Sequence, residues 1–397
     1  MIKHLFKIIW NKKKANALIT IEILLSFLVL FTVVTMGTLA LYRYNQPLGF
    51  QYNDVWAINI DTRLPDDSTY YSVKRATVQQ ILLQLKQMPE IENVCAWANP
   101  PYSHSESRYR DEINGKTVLT SINRGSEDAK DVFGFTIVEG RWFNTSDKAA
   151  NWKPVVINER FRRERFGTDS ALGKDPFSEK RKEPYRVVGV VSDFRKGGEF
   201  SPLVNQCIEY YDIEKTTQPY CSYLLIKVKP GTTMQFEEKL VKGMESVAGN
   251  WSFDVKSLDE MRSENFKPII SLLIAVGLIA GFLLLMVALG LIGVLWQNVS
   301  SRTPEIGLRR ALGSTERKMY GQIVGELLVL TTFGLIIGTI IIAQFPLLNL
   351  IDVVPTAIYI KAFVISVVLM YLLTLFSALY PSWLTMGIEP AEALHYE

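Results

Sequence analysis

The side chains that most often carry chemistry are scarce in this sequence. Among 397 residues there are three histidines, His4, His104 and His395, and three cysteines, Cys95, Cys207 and Cys221. The histidines fall in three distant segments, which argues against a shared metal site, and His104 stands in the polar stretch NPPYSHSES (99–107), which reads as a loop. No H-E-x-x-H and no G-x-S-x-G is present. Nor is there a G-x-x-x-x-G-K-[ST] phosphate loop, so ATP binding of that kind is not expected of this chain. A formal net charge of +3 is too small to hold nucleic acid by bulk electrostatics. Three cysteines define no disulfide framework; Cys207 and Cys221 can pair, but three buried thiols are the favoured reading.

Long apolar runs, by contrast, are plentiful. Residues 17–41, 269–296, 323–345 and 362–380 are each close to or above the ~18–20 residues that cross hydrocarbon as a helix. The chain therefore reads as a polytopic membrane protein. The first run is too long for a signal-peptide core, and its only small-x-small site, Thr38-Leu39-Ala40, is poor. Ahead of it, Ile2, Leu5, Phe6 and Ile9 form one helical face opposite Lys3 and Lys7, as suits a helix lying in the inner interface. Basic residues set the orientation. The N-terminal segment carries Lys3, Lys7, Lys12, Lys13 and Lys14 without an acid. The loop after the second run carries Arg302, Arg309, Arg310, Arg317 and Lys318 against Glu305 and Glu316. Both are expected in the cytoplasm, together with the C-terminal tail. Residues 43–267 then lie outside, with 32 basic and 32 acidic residues and no net field.

The expected division is an interfacial helix over 1–16, spans over 17–42, 268–297, 323–345 and 362–384, an outside domain over 43–267, a cytoplasmic loop over 298–322, a short outer loop over 346–361 and a tail over 385–397. The second span, 28 apolar residues or about 42 Å of helix, exceeds a ~30 Å hydrocarbon core. It either projects outward as a stalk or tilts. Gly277/Gly281 and Gly334/Gly338 are GxxxG pairs that allow close helix packing. Glu22 and Glu326 lie within apolar runs but near their cytoplasmic ends, where reaching water or Lys14 or Lys318 is favoured over a proton relay.

The outside domain reads as mixed α/β. DVWAINID (54–61), a helix over 68–88 and IENVCAWAN (91–99) form one βαβ unit. SYLLIKVKPG (222–231), a helix over 232–247 and WSFDVKSL (251–258) form another. Two such units at the two ends suggest a split ferredoxin-like subdomain interrupted by a β-rich insert. Within the insert, RYRDEINGKTVLTSINR turns at Asn114-Gly115 as a hairpin. TIVEGRWF, the strand and helix of KPVVINERFRRERFG, and EPYRVVGVVSDFR supply its other elements.

The stretch RTPEIGLRRALG (302–313) has the marks of a short helix over 304–312. Thr303 is an N-cap candidate, Pro304 fits the first turn, Glu305 pairs with Arg309 at i,i+4, and Gly313 suits a left-handed C-cap. Nine residues do not hold a helix alone in water. Lipid headgroups, the chain's own spans or a cytoplasmic protein are the available surfaces.

The pattern resembles the cytoplasmic coupling helix of the MacB/FtsX-type (type VII) permeases of ABC transporters. Glu305, Ile306, Gly307, Arg309, Arg310, Ala311, Gly313, Gln322 and Glu326 match it in register. FTIVEGRWFN, VVINERFRRERFG and YRVVGVVSDF are similar to segments of the family's periplasmic domain, and the ending, with Pro381, Pro390, Ala393, Leu394 and Glu397, to its tail, although the usual arginines after the first proline are absent. The resemblance implies a non-enzymatic permease of four spans in the bacterial inner membrane, working as a homodimer or paralogous heterodimer. ATP and Mg²⁺ would sit on an ATPase partner, expected as a separate polypeptide because only 16 residues precede the first span. Pro304, Glu305, Ile306, Gly307, Arg309, Arg310 and Gly313 would contact that partner. A periplasmic adaptor and an outer-membrane exit protein are further partners the resemblance implies. Export of antimicrobial compounds or peptides, lipoprotein extraction and control of cell-wall hydrolases all occur among relatives. A membrane-anchored scaffold or sensor is the alternative.

Overall fold

A computed structural model describes residues 13–62, 70–103, 105–113, 115–178, 184–212, 223–300, 315–347 and 354–386. The chain divides into two compact units, one comprising Arg43–Pro268 and the other Met1–Tyr42 with Ile269–Glu397.

The Arg43–Pro268 unit is built on a ten-stranded sheet. Its first βαβ unit is β1 (Val55–Asp61), α2 (Tyr70–Lys86) and β2 (Ile91–Trp97), and its last is β9 (Tyr223–Val228), α5 (Met234–Ala248) and β10 (Ser252–Ser257). These four strands lie in the order β10-β1-β9-β2, antiparallel throughout. That is the expected ferredoxin-like arrangement, with the insert between its second and third strands. The period of two is visible in β1: Trp56, Ile58 and Ile60 join one core, Val55 and Ala57 the other. The first core is closed by Ile81 and Leu85 of α2 and Phe236, Leu240 and Met244 of α5, the faces expected from their 3.6-residue spacing.

The insert does not form a separate sheet. It contributes β3 (Ser107–Ile113), β4 (Lys116–Gly125), α3 (Ala129–Phe133), β5 (Ile137–Gly140), β6 (Lys153–Asn158), α4 (Glu159–Phe166), β7 (Tyr185–Val191) and β8 (Asn205–Tyr210). The order continues from β2 as β4-β8-β6-β7-β5, with β3 on β4. The link between the two halves is a single register pair, Trp97↔Gly125. The β3–β4 hairpin closes at Ile113↔Lys116 around Gly115, whose φ of 73° is the left-handed conformation its turn requires. Asn114, His104 and Cys221 lie outside the described residues, and Cys95 and Cys207 are buried.

Strand β8 is central to the insert, pairing β4 on one side and β6 on the other, and it is held partly by polar groups. Asn158, fully buried at the end of β6, caps α4 by accepting from Phe161 N at 3.2 Å. The same oxygen accepts from Gln206 N at 2.9 Å, while Asn158 Nδ2 donates to Asp193 Oδ1 (2.9 Å) and Val204 O (3.1 Å). One side chain thus serves a helix cap and three tertiary bonds. Asn158→Ala is expected to cost at least about 2 kcal/mol, a cap of about 1 plus the buried partners left unmade. Thermal unfolding of the purified chain in detergent measures it, and a loss under about 0.5 kcal/mol would refute this role.

The second unit contains α1 (Lys13–Tyr44), α6 (Leu258–Ser300) beyond Pro268, α7 (Glu316–Leu347) and α8 (Thr356–Met386). Among the described residues, four helices are long and apolar enough to cross a membrane: Ile19–Tyr44, Leu258–Gly293, Val324–Leu347 and Thr356–Ala378. Ile23, Phe27, Leu291, Leu330, Ala362 and Met370 are among the side chains of its core. Helices α7 and α8 also share hydroxyl bonds, Thr331–Thr374 at 3.0 Å and Thr332–Tyr371 at 2.9 Å. The first pair is buried and the second exposed in the isolated chain, and such bonds spare hydroxyls an unpaired state in lipid.

Candidate functional site

Three features of the sequence bear on function. The first, Pro304, Glu305, Ile306, Gly307, Arg309, Arg310 and Gly313, lies outside the described residues, between the end of α6 at Ser300 and the start of α7 at Glu316. The flanking Gln322 and Glu326 are described: Gln322 Nε2 donates to Glu326 Oε1 at 3.2 Å.

The second is the pair of GxxxG motifs, which occupy different surroundings. Gly334 and Gly338 of α7 lie against α1. A methyl at Gly334 would come 2.9 Å from Ile23 Cγ2, and one at Gly338 would come 2.5 Å from Phe27 Cδ1 and 3.3 Å from Leu24 Cδ1. Gly277 and Gly281 of α6 meet no atom within 4 Å among the described residues and are exposed in the isolated chain. The third, Glu22, sits beside Gly290 of α6, where an added methyl would lie 2.9 Å from the carboxyl carbon.

The structure adds a cluster that the sequence reading did not single out. Immediately after β7, the segment SDFRKGGEF (192–200) touches a different element with nearly every residue. Asp193 accepts from Arg160 N at 2.6 Å at the start of α4 and pairs with Arg163 at 2.8 Å. Phe194 enters the core beside Phe135. Arg195, buried, donates to backbone carbonyls at the end of α1: Nη1 to Arg43 O at 2.6 Å, Nε to Pro47 O at 3.2 Å, and Nη2 to Gln46 O. Its Nη1 also bonds Glu199 O at 2.6 Å, closing the segment on itself. Carbonyls at a helix C-terminus have no intrahelical donors, and a guanidinium with five N–H groups suits them.

Lys196 is buried, and its Nζ donates to Ser105 O at 2.9 Å in the 99–107 loop. Burial pulls its ammonium down to about 8, against the opposing pull of Glu106. Glu199 holds the first turns of α6 through Arg262 Nε at 2.5 Å. The Arg262 guanidinium lies over the rings of Tyr52 (4.9 Å) and Phe266 (4.8 Å). Phe200 stacks between Tyr44 and Phe266, at 5.8 and 5.1 Å, and its carbonyl accepts from Arg43 Nη1 at 3.2 Å. Gly49, at φ 78°, brings the chain leaving α1 so near that a methyl there would lie 2.8 Å from Phe194 Cα. The only signal for this in the sequence is two charges flanking Gly-Gly after a buried strand, which names no partner.

No group of three or more histidine, cysteine or acidic side chains able to hold a metal occurs among the described residues. Together, the four apolar helices and the sheet domain define a polytopic membrane protein with one large domain outside the lipid.

Comparison with known proteins agrees with this class. Residues 17–242 match the family model of the MacB-like periplasmic core domain, and residues 277–390 that of the FtsX-like permease C-terminal region. The chain therefore belongs to the MacB/FtsX family of ABC transporter permeases. It is 27% identical over 290 residues to the uncharacterized ABC transporter permease YvrN of Bacillus subtilis, covering 68% of this chain and 69% of that one. To the macrolide export ATP-binding/permease protein MacB of Aggregatibacter actinomycetemcomitans it is 27% identical over 236 residues, 58% of this chain and 36% of that one. The chain thus spans little more than a third of that MacB. The crystal structure of the periplasmic region of MacB from Actinobacillus actinomycetemcomitans aligns with 54% of this chain and 92% of its own, at 19% identity and a TM-score of 0.37.

Proposed function

We propose that this permease transmits an ATP-driven conformational change from a cytoplasmic ABC ATPase to its extracytoplasmic domain, in the bacterial inner membrane with both termini in the cytoplasm. The ATPase, a separate chain in this reading, carries ATP and Mg²⁺ and grips residues 304–312. A second permease copy or paralogue completes the complex, and a periplasmic adaptor and outer-membrane exit protein receive what leaves. The export named for the MacB relative supports efflux or extraction of an antimicrobial compound, peptide or lipoprotein as the outcome.

The observation that carries the reading is the path of α6. Its first residues, up to Pro268, belong to the sheet unit, and its last, Ser300, leads into the matched segment. It is assigned as one helix of 43 residues, with Pro268 inside it. A push on the segment that follows thereby has a continuous element to act on.

Glu305→Ala and Arg309→Ala together are expected to weaken co-purification of the ATPase at least tenfold while insertion and oligomeric state stay as in the wild type. Pull-down of the ATPase with the tagged permease in mild detergent reads this. Undiminished recovery would remove these residues from the contact, and a wild-type chain that recovers no ABC ATPase would favour a scaffold or sensor instead.

A further inference from the structure

We infer that the 192–200 segment is the joint through which both ends of the membrane bundle act on the β-rich insert, with Arg195 and Glu199 as its positioning residues. The inference rests on the proposed transmission of ATP-driven motion and names the place in the extracytoplasmic domain that receives it.

Four observations converge, all within the Arg43–Pro268 unit. First, one short segment binds both helices that leave the domain for the membrane. Arg195 holds the carbonyls of Arg43, Gln46 and Pro47 at the end of α1, and Glu199 holds Arg262 in the first turns of α6. Second, these two ties are joined to each other by Arg195 Nη1 to Glu199 O at 2.6 Å, so that displacing either helix end moves the same loop. Third, the loop is also fastened to the insert. Asp193 caps α4 and bonds Asn158, which in turn bonds Gln206 of β8. Fourth, the joint is strained where it meets the 99–107 loop. Tyr102 adopts φ 64°, unusual for a residue with a side chain, and its ring packs on Gly198 so tightly that a methyl there would lie 2.7 Å from Cε1.

Carbonyls held by a buried guanidinium fix the end of α1 in position, because each bond lost leaves a buried polar group unmade. The Arg262–Glu199 pair is largely buried, with 23% of the arginine side chain and 6% of the glutamate side chain accessible, so separating it leaves a buried carboxylate without its countercharge. Glu199 Oε2 is buried without a hydrogen-bond partner among the described residues, as is the Tyr102 hydroxyl, which burial and the nearby Glu199 charge push to a higher pKa. The joint is therefore tied to both helices through buried charged groups, Arg195 toward α1 and Glu199 toward α6, the helix whose far end leads into the ATPase-facing segment.

The test is hydrogen–deuterium exchange on the full permease with its ATPase in lipid nanodiscs, with and without ATP. Peptides over α4 and β8 report the insert. In the wild type, ATP is expected to change their exchange. In Arg262→Gln and Arg195→Gln that nucleotide-dependent difference should fall at least fivefold, while exchange without ATP and ATP hydrolysis remain within twofold of wild type. Arg262→Lys, which keeps the charge opposite Glu199, should restore at least half of it. A purely structural role would instead raise exchange without ATP and would not be rescued. Should Arg195→Gln fail to fold, Arg262→Gln decides. A wild-type-sized difference in the variants overturns the joint and leaves the proposed transmission standing. No difference anywhere in the wild-type domain overturns both.

Discussion

Trp97→Ala is expected to destabilise the extracytoplasmic domain by about 3–5 kcal/mol, the range for removing a buried aromatic side chain from a core. Trp97 is 1% exposed and stands at the single register pair that joins the ferredoxin-like half of the sheet to the insert. Its ring meets Phe133 edge-on at 4.8 Å and Phe135 at 6.2 Å, and its indole N–H donates to Asn99 O at 2.9 Å. The facing Gly125 leaves the room the ring needs: a methyl there would lie 2.6 Å from Trp97 Cε3. Truncation therefore removes a core side chain and opens a cavity beside the backbone pairing that joins the two halves, where Ala98 N bonds Arg124 O at 3.0 Å and Ser126 N bonds Ala96 O at 3.1 Å. Thermal unfolding of the purified chain, with exchange of the β2 and β4 amides as the local readout, measures the effect. A cost below about 1 kcal/mol would mean that the halves are held together elsewhere.

Gly338→Leu is expected to separate α7 from α1 and to cost about 1–3 kcal/mol, as overpacking of a tight contact does. The nearest atoms to a new Cβ belong to Phe27 and Leu24, and Phe27 is itself buried between Phe31 and Phe363 at 6.5 and 6.2 Å. Its ring cannot swing away without displacing those neighbours. The companion substitution Gly277→Leu meets no atom within 4 Å and should leave the stability of the isolated chain unchanged. Unfolding in detergent, comparing the two variants, checks both. Equal effects would show that Gly338 makes no closer contact than Gly277.

Much of this architecture is legible in the residues. The apolar face of α2, from Val78 to Leu85, and that of α5, from Phe236 to Val247, could be placed because their 3.6-residue spacing is clean and their flanking strands alternate. The hairpin followed from Asn114-Gly115. Strand β8 was not legible, because NQCIEY offers only Cys207 and Ile208 as apolar centre. Its buried Asn205 donates through Nδ2 to Glu164, and the Gln206 backbone N–H to Asn158, partners more than forty residues away. The insert's place in the same sheet rests on the Trp97↔Gly125 pairing, again a long-range fact. The 192–200 joint was invisible for the same reason: Arg195 reaches carbonyls about 150 residues earlier in the chain. Local pattern carries local structure, while the groups that connect elements are set by tertiary neighbours. The 302–313 segment, recognised by its residue pattern, lies outside the described residues.

The central claim is that residues 304–312 are gripped by an ABC ATPase. The most direct measurement places a photo-crosslinking amino acid at Ile306 in the intact membrane complex and identifies the adduct by mass spectrometry while ATP is hydrolysed. An adduct to the ATPase subunit, abolished by Glu305→Ala with Arg309→Ala, is the predicted result. Adducts confined to lipid or to this chain's own helices, in a complex that still hydrolyses ATP, would contradict it.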